Sequence, residues 1–128
     1  MVTQTSDTRP LVLAIDDDTL ILRYLRVALE RAGYRSATLD DPRDVLAQIR
    51  DDEPDLILLD VRLPGTDGFE LYGEIRQISS SPVIFLTASS SPQVKQQALS
   101  IGASGFVVKP FSPPELLAAI HEVLPPAG

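Results

Sequence analysis

The chain has no cysteine and a single histidine, His121. The first absence excludes a disulfide framework, a cysteine-bound zinc and thiol catalysis. One imidazole cannot build a metal site, and His121 falls on the last helical segment, well after the acidic clusters described below. Aromatic residues are scarce, three tyrosines and four phenylalanines. None crowds the end of a strand, which argues against a stacked flavin. Cations are outnumbered, 11 Lys and Arg against 18 Asp and Glu, for a net charge of −7. Nucleic-acid-binding domains gather cations on one face, so direct binding of DNA or RNA is not expected. No apolar run approaches the ~20 residues that cross a bilayer. The stretch from Met1 to Pro10 is polar and lacks the apolar core of a signal peptide. A cytoplasmic protein without membrane attachment is the expectation.

What is present reads as one domain. At 128 residues the chain can bury about two thirds of the surface that its unfolded form exposes. Short apolar runs at 11–15, 34–39, 56–59, 83–86 and 105–108 read as strands. Helical patterns lie between and after them at 19–32, 42–49, 68–77, 92–101 and 113–124. In the first, Ile21, Leu25, Ala28, Leu29 and Ala32 recur at helical spacing, with Arg23, Arg26 and Glu30 on the other face. Gly33 stops it. Asp41-Pro42, Ser91-Pro92 and Ser112-Pro113 each set a capping side chain before a proline at the first helical position. Strict alternation of strand and helix means a parallel α/β sheet with helices on both faces. Residues 1–9 read as a disordered leader, 10–124 as the folded domain, and 125–128 as a tail or the start of a linker.

Two acidic clusters follow apolar runs directly. Leu11-Val12-Leu13-Ala14-Ile15 is followed by Asp16-Asp17-Asp18, and Leu56-Ile57-Leu58-Leu59 by Asp60. Continuous apolar runs fit strands buried on both faces, and open α/β sheets place ligands at the carboxyl ends of their strands. Two such exits side by side would crowd negative charge. At 4 Å and an effective dielectric of about 20, each like-charge pair costs on the order of 4 kcal/mol, and a divalent cation offsets it. Asp18 alone could equally be a helix cap, and Asp60 alone a turn residue. Thr87 after Val83-Ile84-Phe85-Leu86 and Lys109 after Phe106-Val107-Val108 carry little meaning singly. Jointly, acids at the first and third exits, a hydroxyl at the fourth and a lysine at the fifth mark one sheet edge.

These residues resemble a known family. Asp16-Asp17, Asp60 within Leu59-Asp60-Val61-Arg62-Leu63-Pro64-Gly65-Thr66-Asp67-Gly68, Thr87-Ala88 and Lys109-Pro110-Phe111 look like the receiver domain of two-component response regulators. The resemblance runs from about Leu11 to Leu124. It implies a flavodoxin-like, doubly wound five-stranded parallel sheet of order 2-1-3-4-5 with five flanking helices. It also implies that Asp60 takes a phosphoryl group from a sensor histidine kinase or a histidine phosphotransfer protein. Asp16, Asp17, Asp60 and the backbone carbonyl of Arg62 would hold Mg²⁺, with Mn²⁺ as a substitute. Thr87, the backbone of Ala88 and Lys109 would contact the phosphoryl oxygens. Thr87 and Phe106 would be the switch, although Phe106 also reads as a plain core residue, and the Lys109–Pro110 bond would be cis. Such a protein catalyses only its own phosphorylation and dephosphorylation and is not a turnover enzyme.

The resemblance implies further partners. The face of the fourth helix, fifth strand and fifth helix would meet an effector domain or protein, and the chain would be a monomer or a weak phosphorylation-dependent dimer. The first helix and the loop after the fifth strand would receive the kinase. Departures exist. Ala103-Ser104-Gly105 lacks the acidic pair often found there, and the fifth helix carries no Arg or Lys. A salt-bridged dimer across that face is therefore not expected. Arg62 and Ser89 sit at variable positions, so the phosphoryl lifetime stays open. Gly65 and Gly68 read as a tight loop needing unusual backbone angles. Two rivals stand beside this reading. An aspartyl-nucleophile phosphatase usually needs a second acid where Arg62 stands, and an inert pseudo-receiver would not need such crowded charge.

Overall fold

The computed structural model describes residues 8–124, so residues 1–7 of the expected leader and the expected tail lie outside the described residues. Five parallel strands run β1 (Leu11–Ile15), β2 (Arg35–Leu39), β3 (Leu56–Asp60), β4 (Val83–Thr87) and β5 (Gly105–Val108). Their order across the sheet is β2-β1-β3-β4-β5, the doubly wound order expected above. The helices are α1 (Thr19–Arg31), α2 (Val45–Asp52), α3 (Gly68–Arg76), α4 (Pro92–Ser100) and α5 (Pro113–Val123).

The apolar runs are continuous because each strand feeds two cores. Val12 and Ala14, Leu56 and Leu58, and Ile84 and Leu86 face α1 and α5, where they meet Leu22, Leu25, Leu29, Leu116 and Ile120. Their neighbours Leu13, Ile15, Ile57, Leu59, Val83 and Phe85 face α2, α3 and α4, with Val45, Ile49, Leu71, Ile75 and Ala98. Successive strand side chains point to opposite faces, so two hydrophobic faces need an unbroken run. Each fully buried Leu or Ile stabilises the fold by roughly 1.5–3 kcal/mol.

Register sets the strand exits level. Ile15 lies opposite Leu59, Asp60 opposite Leu86, and Thr87 opposite Val108. Asp16, Asp60, Thr87 and Lys109 therefore emerge at one edge of the sheet.

Several details differ from the sequence reading. The segment from Pro42 opens as a 3-10 turn, Pro42–Asp44, and the α-helix proper runs on to Asp52. Its apolar periodicity ends at Ile49, and its last turn carries acids that oppose the helix dipole, which hid the extension. Glu53 closes it in the left-handed region, with φ 47°. The loop after β3 contains a two-residue antiparallel ladder, Arg62–Leu63 with Thr66–Asp67. Pro64-Gly65 turns it, with Gly65 at φ +75°, as a Pro-Gly turn requires. Gly68, by contrast, needs no positive φ. It opens α3 hard against the backbone of Asp60 and Val61.

Tyr34 precedes β2 rather than belonging to it, and is fully buried. Its hydroxyl donates to the Leu124 carbonyl at 2.9 Å, tying the end of α5 to the start of β2. Burial raises its pKa, so it donates throughout the neutral range. Tyr34→Phe is expected to cost about 1 kcal/mol, read as a lower urea midpoint at unchanged denaturant slope.

Candidate functional site

The carboxylates of Asp16, Asp17 and Asp60 converge at the carboxyl ends of β1 and β3. Ligand oxygens from the three lie within 4.8 Å of one another. Asp16 is fully buried and Asp60 nearly so, whereas Asp17 faces solvent. Among the described residues this is the single such cluster of metal-ligating groups. The donors are all carboxylate oxygens, the hard ligands that Mg²⁺ and similar cations take.

Asp18 stands apart from the other acids of its run. Its carboxylate accepts the backbone N–H groups of Leu20 at 2.9 Å and Ile21 at 3.4 Å, capping α1. The cap fixes the preceding turn, in which Asp16 Oδ1 accepts the Asp18 N–H at 2.9 Å. Three consecutive aspartates thus divide their labour: one caps the helix and two line the cleft.

Lys109 crosses the cleft from the end of β5. Its ammonium donates to Asp16 Oδ2 at 2.6 Å and to Asp60 Oδ2 at 3.1 Å. The Lys109 N–H also donates to the Thr87 carbonyl at 2.7 Å, which sets the lysine beside the exit of β4. The Lys109–Pro110 bond is cis. Burial pushes the Asp16 carboxyl up; the Lys109 hydrogen bond and the Asp18 N–H work against that shift. For Lys109, burial works against the charged form, but the Asp16 hydrogen bond and the two carboxylate charges outweigh it and raise its pKa. Lys109 therefore stays an ammonium in the neutral range.

The remaining residues frame the mouth. Asp60 Oδ1 accepts the Arg62 N–H at 3.1 Å, which orients the carboxylate and leaves the Arg62 side chain exposed. Arg62 and Ala88 line the opening together with Asp17, Asp60 and Lys109. Thr87 is buried, and its hydroxyl accepts the Ser89 N–H at 3.0 Å. Phe106 is half-buried, opposite Phe85 across β4 and β5, and packs on the α2–α4 core. His121 lies on α5 with its ring 6.3 Å from that of Tyr34 and takes no part in the cleft. Gly68 is the site residue that the sequence reading placed for the wrong reason. A close backbone approach leaves no periodic signal.

Residues 12–121 match the family of the response regulator receiver domain. The chain belongs to that family. Over 120 residues this receiver is 41% identical to the phosphate regulon transcriptional regulatory protein PhoB of Pseudomonas aeruginosa, covering 91% of the chain and 52% of PhoB. It is 36% identical over 121 residues to the transcriptional regulatory protein ResD of Bacillus subtilis, covering 94% of the chain and 50% of ResD. The chain thus spans about half the length of these relatives. Among solved structures, the chemotaxis response regulator CheY4 of Vibrio cholerae superposes with a TM-score of 0.85 at 38% identity, over 91% of this chain and all of that one. The Francisella response regulator 1452 receiver domain gives 0.84 at 31% identity, over 90% of this chain and 96% of that one. The receiver is a signalling module of two-component systems. None of its described helices is long and apolar enough to cross a membrane.

Proposed function

We propose that this receiver accepts a phosphoryl group on Asp60 from a phosphohistidine, supplied by a sensor histidine kinase or a histidine phosphotransfer protein. The observation that carries this reading is the cluster of three carboxylates, two of which, Asp16 and Asp60, are bridged by Lys109. Asp16, Asp17, Asp60 and the Arg62 carbonyl would hold Mg²⁺, which supplies charge neutralisation when bound. Asp60 Oδ1 is held by the Arg62 N–H and Oδ2 by Lys109, so the carboxylate is aimed before a donor arrives. Phosphoryl transfer depends on such positioning and on stabilising charge at the equatorial oxygens. The Lys109 ammonium, the Thr87 hydroxyl and the Ala88 N–H provide that stabilisation from within the chain. Atoms balance simply: a phosphorus–oxygen bond forms at Asp60, and the phosphorus–nitrogen bond of the phosphohistidine breaks.

Output follows from two states of one surface. A phosphoryl group that draws in the Thr87 hydroxyl competes with the Ser89 N–H it now accepts. Phe106, half-buried on the same strand pair, then turns toward the core and reshapes the α4–β5–α5 face. Such a ligand acts only through its preference for one of the two states. The unit proposed is 10–124, in the cytoplasm, meeting an effector domain or protein through that face as a monomer or weak dimer.

Intact mass after incubation with acetyl phosphate and Mg²⁺ tests the reading. One phosphoryl adduct is expected, lost on chelation and lost in Asp60→Asn. No adduct despite measured Mg²⁺ binding, with beryllofluoride also failing to bind, would leave an inert interaction module instead.

A further inference from the structure

A second concavity lies away from the centre of the aspartate cleft. It is an open depression of about 590 Å³ between α2 and α3, within the range of roughly 300–1,000 Å³ typical of small-molecule sites. Pro42, Leu46, Pro64 and Leu71 make its floor. One wall is the ladder that begins at Arg62, through Gly65 and Thr66. Apolar floors beneath charged rims are where ligands of mixed character bind.

The rim decides the charge of the occupant. Asp41, Arg43 and Glu74 stand around the opening. Arg43 is already engaged, with Nε donating to both Asp41 oxygens and Nη2 reaching Oδ2 at 2.6 Å. That contact holds the Asp41 carboxyl below its usual range, so the pair is neutral as a unit. Glu74 is different. Among the described residues no cation or side-chain donor reaches its carboxylate. The cavity thus offers an apolar floor and one unanswered negative charge.

We propose that this cavity binds a small organic monocation whose apolar body covers Leu46 and Leu71 while its ammonium meets Glu74. The site abuts the aspartate cleft at Pro64 but uses none of its carboxylates, and its occupancy does not depend on the phosphorylation reading.

Tryptamine, titrated at saturating Mg²⁺ and followed by amide chemical shifts, is the probe. Saturable shifts at Leu46, Gly65, Thr66 and Leu71 are expected, with a dissociation constant below about 1 mM. Tryptophol, the neutral twin, and indole-3-propionate, the anionic one, are expected to bind at least roughly threefold more weakly, as is tryptamine to Glu74→Gln. Glu74 is exposed, so the variant keeps the fold. Shifts confined to Asp17, Ala88 and Lys109, no saturation, equal binding of tryptophol, or unchanged affinity in Glu74→Gln would each overturn the proposal.

Discussion

Lys109→Met is expected to destabilise the metal-free receiver by about 3 kcal/mol and to slow phosphorylation by acetyl phosphate roughly a hundredfold. The first effect follows from burial. Asp16 is fully buried and Lys109 only slightly exposed, and the 2.6 Å contact between them is the chief partner of Asp16 Oδ2. Removing the ammonium leaves a buried carboxylate beside that of Asp60 with no cation to answer either. The sign of the pH dependence follows too. Burial already raises the Asp16 pKa in the fold, and loss of the lysine removes an influence that lowers it. A raised carboxyl favours the fold below its unfolded value and disfavours it as pH climbs through the folded one. The deficit of the variant should therefore be largest at neutral pH and shrink as pH falls and Asp16 protonates. Lys109 itself has a raised pKa, so in wild type its contribution persists at neutral pH and fades only in strong alkali. Saturating Mg²⁺ should recover much of the stability by replacing the missing charge, yet not the rate, because under the proposed function the lysine also meets the phosphoryl oxygens. Urea midpoints at several pH values, with and without Mg²⁺, separate the two. A variant as stable as wild type without metal would mean that solvent already screens the pair.

The crowding that makes Lys109 important was also what made the site legible in the sequence. Asp16, Asp60, Thr87 and Lys109 each end an apolar run, and parallel strands level their exits, so position in the run predicted position in space. Five strands followed for the same reason: two-sided burial leaves runs such as Leu56–Leu59 that no surface loop would carry. Edges and loops were harder. All five residues of β2 are half-buried, so its pattern says less, and its start was misread at Tyr34. That residue is buried through a hydroxyl bond to Leu124, 90 positions away, which no local window can see. The division of the three aspartates was partly legible, since Asp18 read equally as a helix cap, and the bonds it accepts from the Leu20 and Ile21 N–H groups assign it that task. The α2–α3 cavity is likewise a tertiary feature, assembled from segments whose residues look ordinary singly.

Gly68→Ala is expected to cost about 3 kcal/mol or more, although it swaps the poorest helix former short of proline for the best. A Cβ at Gly68 would lie 2.4 Å from the Asp60 carbonyl oxygen and 2.9 Å from the Val61 Cα. Both are backbone atoms at the exit of β3, and neither can swing aside as a side chain would. The approach is held closed by the Gly68 N–H, which donates to the Val61 carbonyl at 2.6 Å. Relief requires moving either the start of α3 or the backbone that aims Asp60, so phosphorylation and Mg²⁺ affinity should fall with stability. Gly73 supplies the control on the same helix. It is exposed, and an added Cβ there meets nothing within 4 Å. Gly73→Ala should therefore stabilise by roughly 0.5–1 kcal/mol through helix propensity alone. Opposite signs from one chemical change, five residues apart, would show in urea melts of the two variants. Equal stability of both would mean that the loop beneath α3 yields, and that the backbone bearing Asp60 is softer than this contact implies.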